Sequence, residues 1–168
     1  MTEDKLLAEM QMLRDRIAGI TGTAVASRDG LIIREDTGGV DPDNLAALTS
    51  AALSLAQRLA REAGQGTLRE AITRSSGGYV AIYAVGASAA LVLLGDEGLD
   101  ITRLHRESRS VVDNLEKLLA LGQRAAANRG VEGLRGVRDR DVLAALGQGG
   151  GDLKRAARVG RDQQRRPG

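Results

Sequence analysis

Residues 41–64, DPDNLAALTSAALSLAQRLAREAG, predict a single helix with a clear signal at each end. Asp41 can accept hydrogen bonds from the free N–H groups of the first turn, and Pro42 suits the first helical position because it has no N–H to leave unpaired. Arg58 and Arg61 lie towards the negative end of the helix dipole, and Gly64 can adopt the left-handed conformation that ends a helix. Both ends therefore indicate the same helix.

This helix carries more apolar surface than one sheet needs. Two neighbouring stripes recur at three- and four-residue spacing and with Ala51 span roughly 220°, whereas packing on one sheet needs a little over roughly 100°. The first stripe is Leu45, Leu48, Ala52, Leu55 and Leu59, and the second is Ala46, Thr49, Leu53, Ala56 and Ala60. A helix buried at the centre of a monomer would explain both stripes. We favour one face on the chain's own sheet and the other on a second subunit, because the alanines of the second stripe allow two helices to approach closely.

Two further helices are predicted on either side of this one. Residues 3–18 and 101–121 carry apolar residues at helical spacing, and Gly122 is expected to end the second of them. Residues 23–27 and 31–33 flank Asp-Gly, a dipeptide typical of hairpin turns, and are predicted as paired strands.

Three more strands are predicted between the second and third helices. Residues 67–74 mix charged and apolar side chains, as the strand at a sheet edge often does. Residues 79–85 and 89–94 are apolar on both faces, so both faces should be covered. The order is helix, two strands, helix, three strands, helix. Because the links are short, we predict an α+β fold with a five-stranded, mostly antiparallel sheet and helices on both faces.

The composition limits the chemistry that the chain can perform. There is no cysteine, which excludes disulfides and thiolate metal sites, and a single histidine excludes a His-rich metal centre. That residue, His105, lies between Arg103 and Arg106 without a nucleophile pattern nearby, so we interpret it as structural or solvated. We expect no enzyme activity and no cofactor.

Two other patterns resemble chemical sites only superficially. Glu35-Asp36 is a pair of acids in a predicted loop, where solvation is a commoner role than acid–base catalysis. The run Gly147–Gly151 lacks the Lys-Ser/Thr pair of a phosphate-binding loop, and we interpret it as a linker.

The charge distribution divides the chain into two parts. Residues 1–121 hold 13 Lys/Arg and 17 Asp/Glu, a net charge of −4, whereas residues 122–168 hold 11 and 5, a net charge of +6. We predict a folded domain over 1–121 and a Gly/Arg-rich, mostly disordered basic tail over 122–168, with short helices at 140–146 and 152–159.

The basic tail has alternative readings. Its cations could contact phosphates of nucleic acid or lipid, but no aromatic residue is interleaved for base stacking, so we favour solubilising charge and expect no nucleic-acid partner. These cations are Lys154, Arg155, Arg158, Arg161, Arg165 and Arg166. The apolar run 79–95 is short for a membrane span, and the acidic start MTEDKLLAEM does not resemble a secretory signal, so we expect a cytoplasmic protein without stable membrane insertion.

Three segments resemble the Roadblock/dynein-light-chain superfamily when taken in this order. Residues 20–33, ITGTAVASRDGLII, resemble its first hairpin, and residues 76–86, SGGYVAIYAVG, resemble its central hairpin. Residues 89–94, followed by an acidic loop and a last helix, resemble its ending. The resemblance covers residues 4–121. The alanine-, arginine- and glycine-rich composition resembles actinobacterial members, including those encoded beside small GTPases in conservons.

The resemblance implies a profilin-like sandwich that forms a homodimer through its second helices and third strands. It implies a non-enzymatic module that regulates or scaffolds a Ras-like small GTPase in bacterial signalling, with a sensor-kinase complex as a further partner. The interface residues expected on this basis are Ala46, Thr49, Leu53, Ala56, Ala60, Leu68, Ala71 and Ile72. The GTPase is expected to contact the remaining arc of the second helix, which carries Ser50, Ser54, Gln57, Arg58 and Arg61.

Two other functions stay open at this stage. A ligand-sensing domain would share a profilin- or PAS-like plan, although only Tyr79 and Tyr83 could supply the aromatic lining that ligand pockets usually have. An adaptor whose basic tail contacts nucleic acid or an anionic membrane is the other alternative.

Overall fold

Five strands form one antiparallel sheet, and short turns join three of its four neighbouring pairs. The strands are β1 (Ile20–Ser27), β2 (Ile32–Asp36), β3 (Glu70–Ser75), β4 (Gly78–Val85) and β5 (Ala89–Gly95). Their spatial order is β2-β1-β5-β4-β3, and every neighbouring pair is antiparallel. In this computed structural model the backbone is described for residues 2–135 and the side-chain environments for residues 3–128. The sequences predicted as helices at 140–146 and 152–159, and the glycine run 147–151, lie outside the described residues.

Three helices cover the two faces of the sheet. On one face, α1 (Thr2–Arg16) and α3 (Ile101–Arg135) share a core with Tyr83 and Leu91. On the other face, α2 (Pro42–Glu62) packs on a smaller cluster that contains Ile82. Because neighbouring residues in a strand point to opposite faces, the apolar run of β4 serves both cores. The predicted fold class, element order and antiparallel sheet are confirmed.

The turn between β3 and β4 requires glycine at one position. Gly78 has a φ of +132°, a conformation that other residues rarely adopt, and a Cβ added there would collide with the carbonyl oxygen of Gly95. This close approach lets β4 begin directly after the turn, so that Ser75 and Gly78 form the last pair of the β3–β4 ladder.

Two predicted boundaries are wrong. Helix α3 does not stop at Gly122 but continues to Arg135. A glycine inside a helix costs about 1 kcal/mol relative to alanine, and the leucines before Gly122 and the alanines after it are strong helix formers that tolerate it. The pair Glu35-Asp36 ends strand β2 instead of lying in a loop, and both acids have structural partners. Asp36 accepts from Arg14 at 2.8 Å, and Glu35 accepts from the Thr37 hydroxyl at 2.8 Å.

Within residues 2–135, the helices are too short or too polar to cross a membrane.

Candidate interaction surface on α2 and β3

Helix α2 is held at both ends as its sequence predicts. The Asp41 carboxylate accepts from the backbone N–H groups of Asp43 at 3.1 Å and Asn44 at 3.3 Å, and Pro42 occupies the first turn. Beyond the last turn, Gly64 has a φ of +69°. These caps fix where the helix begins and ends.

The alanine-rich stripe of α2 lies on the chain's own sheet. Ala46 is fully buried, and Thr49 and Leu53 are each 3% exposed. Leu53 packs against Ile82 and Ala90 of the sheet. Ala46, Thr49 and Leu53 therefore lie inside the subunit and expose almost no surface that a second subunit could contact. Ala56 and Ala60, on the same side of the helix, are half-buried. Their small side chains let the helix lie close to the strands.

The leucine-rich stripe of α2 faces outwards instead. Leu48, Leu55 and Leu59, which we call the outer leucine face, are 62%, 70% and 68% exposed. Scattered exposed leucines are ordinary, but three that recur along one helix form a continuous apolar stripe. The helix therefore carries exposed apolar surface beyond what packs on its own sheet, and that surface lies on the leucine-rich stripe and not on the alanine-rich one.

The residues expected to contact a partner divide into two groups. Two of them hold α2 in place: the Ser50 hydroxyl donates to the carbonyl of Arg28, and the Gln57 carbonyl accepts from the N–H of Leu68 at 3.1 Å. Ser54, Arg58 and Arg61 are exposed.

An open depression of about 610 Å³ lies at the carboxyl end of α2. Arg28, Gln57, Arg61 and Thr67 line it together with two glycines. Arg28 was not among the predicted contact residues, since it belongs to the turn after β1 and lies 33 positions before Arg61. No sequence pattern links the two arginines, and only the packing of that turn on α2 brings them together.

Strand β3 lies at the edge of the sheet, as its mixed composition predicts. It pairs with β4 alone, so the polar backbone groups of its outer edge have no strand partner within the described part of the chain. Ala71 and Ile72 are half-buried, and Ile72 packs against the core beneath α1 and α3. Leu68, just before the strand, packs against the cluster beneath α2. All three side chains keep some exposed surface at this edge.

His105 connects α3 to the edge strand. Its Nδ1 lies 2.9 Å from Oε1 of Glu70, and the histidine side chain is 42% exposed. An ionised Glu70 can only accept, so Nδ1 is the donor and carries the proton. This contact agrees with a structural role for His105. The sequence could not reveal it because Glu70 lies 35 residues earlier on another element.

Tyr83 lies beside this pair with its hydroxyl buried. The side chain is 5% exposed, and burial raises the pKa of Tyr83 to about 12. The Ser108 hydroxyl and the Glu70 carboxylate lie beside the tyrosine oxygen, and the interaction with Ser108 offsets part of this rise in the pKa. Tyr83 therefore keeps a proton that it can donate at any physiological pH.

Comparison with known proteins identifies the domain type. A sequence model of the family described as Roadblock/LC7 domain matches residues 6–95. An uncharacterized protein of Methanocaldococcus jannaschii is 28% identical over 116 residues, which cover 68% of this chain and 97% of that protein.

Solved structures share the fold. A Roadblock/LC7 domain from Streptomyces avermitilis has a TM-score of 0.62 at 24% identity, over 67% of this chain and 96% of that one. The gliding protein MglB from Thermus thermophilus has a TM-score of 0.64 at 16% identity, over 70% of this chain and 90% of that one. At these identities the likeness concerns the arrangement of helices and strands.

Proposed function

The chain belongs to the Roadblock/LC7 family, and from that premise we propose that it is a homodimeric interaction module that regulates or scaffolds a Ras-like small GTPase. Roadblock/LC7 domains are generally non-catalytic interaction modules. The observation that carries the proposal is the outer leucine face of α2, which the described residues of the chain leave largely exposed.

The outer leucine face has the character of half an interface. Full burial of a leucine side chain contributes about 1.5–3 kcal/mol, so each of the three, being about two-thirds exposed, has about 1–2 kcal/mol still to gain. A two-fold dimer brings the same face from both subunits into contact and doubles that contribution. The resulting total of about 6–12 kcal/mol is comparable with the roughly 4–15 kcal/mol that association costs in lost translational and rotational freedom. A second contact region is needed for a stable dimer.

The free edge of β3 supplies such a region. Two copies that pair along this edge would satisfy the backbone groups of both strands and join two five-stranded sheets. Arg69, just before this strand, and Arg74 on it are exposed, and charged side chains on an edge discourage indiscriminate pairing. The predicted interface residues Leu68, Ala71 and Ile72 belong to this region, and the outer leucine face replaces Ala46, Thr49 and Leu53.

The polar arc of α2 is the surface we assign to the GTPase. Arg58 and Arg61 are exposed beside the outer leucine face, and Arg28 adds a third cation at the end of the helix. In a two-fold dimer this basic surface occurs twice. Arginine binds carboxylates with defined geometry and is enriched at interfaces, so an acidic surface of the GTPase is the complementary partner.

Affinity capture tests the proposal at the level of the partner. The full-length protein is immobilised, and purified Ras-like GTPases from the same organism are applied after loading with GDP or with a non-hydrolysable GTP analogue. We expect one GTPase to be retained, more strongly in one nucleotide state than in the other, because regulators of switch proteins distinguish those states. Retention of none of them in either state would overturn the assignment.

A further inference from the structure

The backbone of β3 determines which of its residues can pair with another strand. The carbonyl of Arg69, just before the strand, accepts from the N–H of Ala84 on β4 at 2.9 Å. Because the backbone groups of successive residues in an antiparallel strand point alternately to its two sides, every second residue after Arg69 also points its N–H and C=O groups to β4. The residues between them point theirs to the free edge. These edge residues are Glu70, Ile72 and Arg74.

The side chains of the edge residues lie on one face of the sheet, since side chains also alternate along a strand. Ile72 packs on the core beneath α1 and α3, and Glu70 contacts His105 of α3. The guanidinium of Arg74 is exposed and lies 5.7 Å from the centre of the Tyr79 ring, and it forms no ion pair with the described residues. Along this face the edge therefore presents an acid, an apolar side chain and a base, in that order.

Two-fold symmetry allows few registers between two copies of β3. When two sheets join into one, the axis is perpendicular to the sheet, so residues that lie opposite each other share a face and the axis passes beside a single residue. With the axis at Ile72, Glu70 lies opposite the partner's Arg74. With the axis at Ala71, Ile72 would face the partner's Glu70, and with the axis at Thr73 it would face the partner's Arg74. An axis at Glu70 or at Arg74 would place like charges opposite each other.

We propose that two copies of this chain pair their β3 strands in the register centred on Ile72, with two ion pairs between Glu70 of one subunit and Arg74 of the other. Opposite charges that face each other across neighbouring strands stabilise the pairing, and the two isoleucines meet at the axis. Glu70 can bind the partner's Arg74 and keep its contact with His105, because a carboxylate accepts hydrogen bonds at about four positions. The inference rests on the homodimer proposed above and adds the residues by which the chain selects a second copy of itself.

Strand β2, the other edge of the sheet, lacks this complementarity. Its pairing with β1 contains a register shift, and such bulges protect an edge from further pairing. Asp36 already binds Arg14 at 2.8 Å, and Glu35 accepts from Thr37. The ladder between β3 and β4 is regular, which leaves β3 as the edge suited to self-pairing.

Reversing one charge at a time tests the register. Glu70→Arg places arginines opposite arginines and Arg74→Glu places glutamates opposite glutamates, so in sedimentation velocity each should raise the dissociation constant of the dimer by roughly tenfold to a hundredfold. Arg74→Gln removes the charge without reversing it and should lie between Arg74→Glu and the wild type. Both Arg74 variants leave the contact between Glu70 and His105 intact, so their order is decisive even if Glu70→Arg lowers the melting temperature. Arg103→Glu, on an exposed position of α3, is the control for net charge and should dimerise like the wild type.

Mixing the two single variants gives the sharpest result. One subunit then carries two arginines and the other two glutamates, so only the heterodimer has opposite charges in both cross-strand pairs. Native mass spectrometry, which separates the two chains by mass, should show the heterodimer in excess over both homodimers. A statistical mixture, or single variants that dimerise like the wild type, would overturn the register, and the homodimer itself would still stand if Leu55→Glu dissociates it. A wild type that is monomeric at micromolar concentration would overturn both proposals.

Discussion

Substituting Leu55 by glutamate separates the stability of the subunit from that of the dimer. Leu55 is 70% exposed in the monomer, and leucine and glutamate have similar helix propensities, so the subunit should fold as before. In the dimer, burial of the remaining surface is worth about 1–2 kcal/mol for each copy, or about 2–4 kcal/mol for two. Since 1.4 kcal/mol is a factor of ten, the dissociation constant should rise by between about 30-fold and 1,000-fold.

The glutamate adds to this loss. Two-fold symmetry brings the two new carboxylates into one apolar interface, where an unpaired charge is strongly unfavourable. The rise of about 30-fold to 1,000-fold in the dissociation constant counts only the lost apolar burial, so the measured rise should be larger. Leu55→Ala is the milder variant, because it removes most of the apolar surface without adding a charge, and its effect should fall below that of Leu55→Glu.

Sedimentation velocity over a micromolar concentration series measures the change. We expect the wild type to sediment as a dimer and Leu55→Glu as a monomer with an unchanged melting temperature after correction for dimer dissociation. Ser54→Glu is the matched control: it adds the same charge on the neighbouring exposed position, outside the outer leucine face, and should remain a dimer. A wild type that is monomeric in this range, or a Leu55→Glu variant that dimerises like the wild type, would refute the reasoning.

Three further predictions concern the subunit itself. Leu53→Ala should lower the free energy of unfolding by about 2–5 kcal/mol in chemical denaturation because Leu53 is 3% exposed, and a loss below 1 kcal/mol would contradict its burial. Truncation after Gly122 should lower the melting temperature by only a few degrees, because residues 123–128 are exposed, apolar-poor helix; a large loss would show that the removed segment stabilises the domain. The pKa of Tyr83 is about 10 in the unfolded chain and about 12 in the folded one, so its contribution to the free energy of unfolding is complete below pH 10 and is lost as the pH rises to 12. Between pH 8 and pH 11.5 the free energy of unfolding should therefore fall less in Tyr83→Phe than in the wild type, and equal decreases would contradict the shift.

The sequence was sufficient for the fold because its local signals agree with each other. Helix α2 begins at the predicted Asp41-Pro42 cap, and Gly64 has the left-handed conformation predicted for its end. The two-sided apolar strands β4 and β5 occupy the centre of the sheet, and the mixed strand β3 occupies its edge. The end of α3 and the end of β2 were misjudged, because glycine is a common but not an obligatory helix stop and because Glu35-Asp36 extends the strand.

The rotation of α2 could not be read from the sequence. Both apolar stripes repeat with the same helical period, so periodicity identifies two faces without saying which one meets the sheet. Contacts with distant residues settle it: Ser50 binds the carbonyl of Arg28, and Gln57 binds the N–H of Leu68. The contact between Glu70 and His105 escaped prediction for the same reason, because these residues meet only in the folded chain.

The central claim is that the basic arc of α2 carries a Ras-like GTPase, and isothermal titration calorimetry tests it most directly. The GTPase retained in the capture experiment is titrated into the wild type and into a variant with Arg58→Glu and Arg61→Glu. A variant with Arg103→Glu and Arg106→Glu, two exposed arginines on α3, is the control for the change in net charge. We expect the α2 variant to remain a dimer and to bind more weakly than both other proteins, with a larger difference at low salt than at high salt. Equal affinities for all three proteins would contradict the account.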